Sequence, residues 1–139
     1  MKTKNTRPND EAQIQQVITD WTSAQCAKDV DRLMFHYATD VVVFGVNPPF
    51  HTTGVAAWRR VWEAALSHFP ASFGVEMRDF RIAVSGDLAL AHWQFRYTGM
   101  GAEHSATQTW MRTTVGYKRC KDRWRIVHEH YSVPFVPNA

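Results

Sequence analysis

Residues 72–87 read SFGVEMRDFRIAVSGD. Phe73, Val75 and Met77 alternate with other residues, the two-residue period of a half-buried strand. At Arg78–Asp79 the parity slips, and the apolar set continues as Phe80, Ile82 and Val84. Such a slip turns the apolar side chains to the opposite face unless the backbone absorbs one extra residue. The sequence therefore predicts a β-bulge here, and bulges bend sheets. Ser85-Gly86-Asp87 makes a tight turn into a strand over 88–98, Gly99-Met100-Gly101 turns again, and 105–118 with 124–134 form a last long hairpin.

Upstream the period is helical. Asp10 with Gln13 reads as a capping box, and Ile14, Val17, Ile18, Trp21 and Ala24 give a helix over 10–28. A second short helix follows Asp29, with Val30, Leu33, Met34 and Tyr37 on one face. The β-branched run VVVFGV at 41–46 predicts a buried strand, broken by Asn47-Pro48-Pro49. Thr53 is expected to cap a third helix with the inward stripe Trp58, Val61, Trp62, Ala65, Leu66 and Phe69, stopped by Pro70. Helices on one side of a strongly bent, mostly antiparallel sheet define an α+β domain. It spans 10–135, between tails at 1–9 and 136–139.

A chain of 139 residues, 45% hydrophobic and 21% charged, has the size and composition of one globular domain, not of a disordered or fibrous chain. The 13% aromatic share needs either a large core or an aromatic-lined pocket. Without a run of about 18 apolar residues, no membrane span is expected. The start, MKTKNTRPNDEAQ, lacks the apolar core of a signal peptide, so the expected address is cytoplasmic. The net charge of +3 is local: Lys2, Lys4 and Arg7 in the tail, and Lys118, Arg119, Lys121, Arg123 and Arg125 around the last hairpin turn. We read these as solvated charges and expect no nucleic-acid partner. Cys26 and Cys120 are too few for a metal or disulfide framework and are expected as thiols.

YATDVVVF after the second helix, a Gly-led third helix, GDLALAHW and the ending WMRTTVGYKRCKDRWRIVHEHYSVP resemble the nuclear-transport-factor-2-like superfamily, and within it the SnoaL-like group. That group is similar to the association domain of calcium/calmodulin-dependent protein kinase II and to ketosteroid isomerase-like proteins. The resemblance implies a cone with a pocket at its open end, commonly paired as a dimer. It leaves the reaction open, because the superfamily includes isomerases, dehydratases, cyclases and non-enzymatic domains. In the ketosteroid isomerase branch, the general base falls on Gly45, the oxyanion phenol on Trp21 and the protonated acid on about Thr113. Glycine abstracts no proton, so a steroid isomerase of that mechanism is not expected.

If 119–123 connect the last hairpin, paired positions sum to about 242 and same-parity residues share a face. One face carries Met111, Thr113, Val115, Val127, Glu129, Tyr131 and Val133, continued by Ala91, Trp93, Phe95 and Tyr97. Being more apolar, it is assigned to the concave side. A carboxylate there would be desolvated and raised toward general acid or base values, so Glu129 is the candidate catalytic group and Tyr131 its orienting hydroxyl. Trp21, Phe44, Trp62, Trp93, Phe95, Met111 and Thr113 are the candidate substrate-binding residues, with Trp58 beside Trp62 as core or pocket wall. The other face carries Trp110, Arg112, Thr114, Ile126, His128, His130 and Ser132, with an expected ladder His92–Arg112–His130. The intervening Arg opposes a cation, so no metal and no cofactor are expected. Were the faces inverted, these histidines would become the catalytic candidates. His51 is placed at the pocket mouth or on a surface loop, while His36, His68 and His104 are given no role.

Two functions follow. One is an isomerase, dehydratase or cyclase acting by proton transfer on a small apolar carbonyl compound. The other is a non-catalytic ligand-binding or association module. The convex face, with Trp110, Ile126 and Phe80 among polar groups, is expected to pair two copies through their sheets, with Arg112 near the centre.

Overall fold

The computed structural model describes residues 7–138; residues 1–6 and 139, with most of the expected N-terminal tail, lie outside them. The described chain runs α1 (Asp10–Cys26), α2 (Val30–Met34), β1 (Tyr37–Phe44), β2 (Thr52–Thr53), α3 (Val55–Leu66), β3 (Gly74–Ser85), β4 (Leu88–Thr98), α4 (Ser105–Gln108), β5 (Met111–Cys120) and β6 (Arg123–Ser132). The strands form one sheet in the order β2-β1-β6-β5-β4-β3, antiparallel except where β1 meets β6.

The bulge lies where the parity slips. Arg78 pairs with Gln94, the next registered pair is Arg81 with His92, and Asp79 turns to a left-handed φ of 56°. The extra residue keeps Val75 and Met77 on one side of it, and Phe80, Ile82 and Val84 on the other, all packed against the core. A second bulge lies in β6. Gly116 pairs with His128 but Tyr117 pairs with Ile126, so Val127 has no opposite number. The slip turns Trp124 and Ile126 inward before the bulge, and Glu129 and Tyr131 inward after it.

The helices close the sheet by their apolar stripes. Ile14, Ile18, Trp21 and Ala24 on α1, and Trp58, Trp62 and Leu66 on α3, recur at helical spacing and are buried. At one end the Arg119 guanidinium grips both Asp10 oxygens, at 2.5 and 2.9 Å, and the Asp87 carboxylate at 2.9 Å, while lying over Trp124. This ties α1, the β3–β4 turn and the last hairpin together.

Several expectations are corrected. Asp10 does not complete a capping box, because its buried carboxylate serves Arg119. Arg119 is thus not a solvated turn charge, and Arg123 stacks on Phe35 at 3.6 Å. Tyr37 opens β1 rather than ending α2, and Gly54 at φ 90°, not Thr53, precedes α3. Residues 105–108 form a fourth, short helix instead of the start of a strand. Ile126, only 2% exposed, and Phe80, packed on Trp93, belong to the core rather than to the convex face. Val127 loses its expected concave place to the bulge. The tighter hairpin turn moves the register by one residue and the β6 bulge by one more, so beyond the bulge His92 and His130 flank Thr114 while Arg112 pairs with Gln94 and Ser132. A shift of two preserves parity, which is why Glu129 and Tyr131 remain on the concave face.

Candidate functional site

Three elements converge on one buried carboxylate. Glu129 projects from β6 into the core with 1% of its surface exposed. Tyr37, the first residue of β1, donates its hydroxyl to Oε1 at 2.6 Å. Tyr131, on the same face of β6, donates to Oε2 at 2.5 Å. Trp21 on α1 donates its indole N–H to the Tyr37 hydroxyl at 2.9 Å. Ile18, Trp93, Val115, Tyr117 and Ile126 complete the surroundings.

Burial dominates the electrostatics. It lifts the Glu129 carboxyl from 4.5 to about 7, against the opposing pull of the two phenol donors. Burial and the neighbouring carboxylate raise Tyr37 and Tyr131 well above the ordinary phenol range. The tyrosines are therefore neutral donors, and Glu129 is the group that changes charge near neutrality. A carboxyl that exchanges its proton near pH 7 has the property required of a general acid or base.

A cavity of about 590 Å³ borders Tyr131. That volume falls within the range of roughly 300–1,000 Å³ usual for small-molecule sites. Trp58 stacks on Tyr131 with ring centroids 6.5 Å apart, and Trp62 meets Trp58 and Trp21 edge-on at 5.9 and 6.1 Å. Glu129 does not border this cavity; it borders a smaller void, and Trp21 and Tyr131 line both. These two side chains stand between the carboxylate and the cavity.

Of the expected binding residues, Trp21, Trp62, Phe95 and Met111 line the cavity. Trp93 lines the Glu129 void and packs against Phe80 with centroids 5.4 Å apart. Thr113 is buried away from the cavity, its hydroxyl without a hydrogen-bond partner among the described residues. Phe44 is corrected outright: it is 38% exposed, its ring 4.8 Å from His128 and 5.4 Å from His130. A continuous apolar run carries no parity, and Val41 and Val43 take the inner face. Sequence reasoning missed Tyr37, hidden by its apparent fit to a helical stripe. It also gave no role to His68 and His104, which line the cavity; His51 does not. Among the described residues no group of three His, Cys, Asp or Glu is placed to hold a metal.

A curved six-stranded sheet closed by helices defines the class of protein: an α+β cone. The SnoaL-like domain family matches residues 14–136, and the chain belongs to that family. An NTF2-like protein of unknown function from Pseudomonas putida KT2440 is 33% identical, with a TM-score of 0.85 over 94% of this chain and 90% of that one. A protein from Streptomyces avermitilis, named as a proposed dehydratase of the NTF2-like family, has a TM-score of 0.78 at 17% identity over 94% of this chain and all (100%) of its own. One from Shewanella frigidimarina, named as a proposed ketosteroid isomerase, has a TM-score of 0.70 at 16% identity over 84% of this chain and 92% of its own. The last two likenesses establish the fold alone. No curated protein matches the chain.

Proposed function

We propose that the cavity binds a small, apolar carbonyl compound and that the protein acts on it by proton transfer, as an isomerase, dehydratase or cyclase. Tyr131 would contact the substrate, and Glu129 would supply or take the proton behind it. One observation carries this reading: a carboxyl poised near neutrality, held by neutral donors, with one of those donors in the wall of an aromatic cavity. The names of the dehydratase-like and isomerase-like structural neighbours support the same chemical class. The ketosteroid isomerase mechanism itself is not proposed, because its base would fall on Gly45, which lines the cavity without a side chain.

The competing reading, a non-catalytic binding module, is favoured by the separation of Glu129 from the cavity. Glu129→Gln discriminates the two by removing the titrating group at constant size. Loss of turnover on a panel of apolar enones and β-hydroxy ketones, with the fold retained, supports the enzyme. Turnover equal to that of the wild type removes Glu129 from the chemistry. We also propose a homodimer through the outer sheet face. There Trp110 lies under Arg78 and Arg96, Arg112 donates to Ser132, and Leu88 and Leu90 are 58% and 46% exposed.

A further inference from the structure

Each charge state of Glu129 gives its hydrogen-bond network a definite number of protons, and that count constrains what the cavity can bind. With Glu129 ionised, Tyr37 and Tyr131 each give their single proton to the carboxylate. Tyr131 then offers the cavity only its oxygen lone pairs. With Glu129 protonated, the carboxyl becomes a donor and needs one of the two phenol oxygens as acceptor. The Tyr37 oxygen already accepts from Trp21, and Tyr37 does not line the cavity, so its released proton would find no partner there. The Tyr131 oxygen receives no bond from another described residue, and Tyr131 does line the cavity. The new proton therefore settles between Glu129 and Tyr131, and the Tyr131 hydroxyl turns outward.

Resting on the pocket reading above, we infer that Tyr131 and Glu129 select ligands by hydrogen-bonding sense. A ligand that presents an acceptor to Tyr131, such as a carbonyl or enolate oxygen, binds with uptake of one proton by Glu129. A ligand that presents a hydroxyl donor binds without proton uptake.

The groups facing Glu129 are Trp21 from α1, Tyr37 from β1, Tyr97 and Trp93 from β4, Tyr117 from β5 and Tyr131 from β6. Burial keeps all the phenols among them neutral. His68 and His104 line the cavity itself and are the other titratable groups a ligand meets. Glu129→Gln separates them from the carboxyl. Its amide oxygen accepts from Tyr37 while its NH₂ donates to Tyr131, fixing the network in the proton-loaded arrangement.

The test uses 2-acetylnaphthalene, which only accepts, and 2-naphthalenemethanol, which also donates. Both are titrated by calorimetry from pH 6 to pH 9 in two buffers of different ionisation enthalpy. The ketone is expected to weaken about tenfold per pH unit above the Glu129 midpoint, with uptake of one proton, while the alcohol holds a constant affinity. In Glu129→Gln the ketone is expected to bind at all pH values as tightly as it binds the wild type at pH 6. Ketone binding that is independent of pH and free of proton uptake overturns the inference while leaving the pocket reading intact. A pH dependence that persists in Glu129→Gln also overturns it and assigns the effect to the histidines. Failure of both compounds to bind at any pH removes the pocket reading, and the inference with it.

Discussion

Glu129 gains its chemical character at a cost in stability. Its carboxyl titrates at about 7 when folded against an ordinary 4.5, so the folded chain holds more protons between those values. The contribution is fully present below about pH 4.5 and is lost as pH rises through 7, on the order of 3 kcal/mol for a fully buried group. Denaturant titrations should therefore show the wild type losing stability from pH 5 to pH 8, and Glu129→Gln removing most of that slope. Tyr131→Phe takes away a donor that favours the ionised carboxyl. The Glu129 midpoint should then rise further, which a pH titration of the variant checks. Asp10 works in the opposite sense: its bonds to Arg119 lower it to about 2, so its contribution is present above about 4 and lost as pH falls toward 2.

At the scale of elements, the β3 slip from Met77 to Phe80 announces a bulge because a single parity break has one cheap structural answer. Asp79 at φ 56° is that answer, and its conformation is testable. Asp79→Gly should fold within about 1 kcal/mol of the wild type, whereas β-branched Asp79→Val should lose on the order of 1–2 kcal/mol in chemical denaturation. The second bulge was not legible. RWRIVHEH offers no clean alternation, because Trp124 and Ile126 share a parity that His128 and His130 continue on the other face. Glu129 and Tyr131 were legible as a pair, since an error of two residues in register leaves parity untouched. Tyr37 and the Arg119–Asp10 bond were not, as both rest on contacts between residues far apart in sequence. That buried pair staples α1 to the last hairpin, so Asp10→Ala, which removes the two bonds from Arg119 to α1 and keeps those to Asp87 and Gly86, should cost about 1.5–3 kcal/mol in chemical denaturation. Combining it with Arg119→Met should cost less than the sum of the two single changes.

In the whole molecule, the parallel pairing of β1 with β6 sets Tyr37 beside Ile126, near the start of β6, and Trp21 on α1 reaches the Tyr37 hydroxyl. The carboxylate is thus built from the closure of the cone and depends on the complete fold. Its outer sheet face is the surface expected to pair two copies. Sedimentation at pH 7.5 should give a dimer, and a monomer there contradicts that assembly. No helix among the described residues is long and apolar enough to cross a membrane. The most direct measurement is a carbon-13 NMR titration of the glutamate side-chain carboxyls, with Glu129 assigned by its loss in Glu129→Gln. A midpoint near 7 is expected for this one carboxyl; an ordinary midpoint near 4.5 would show a solvated group and contradict the poised acid–base centre.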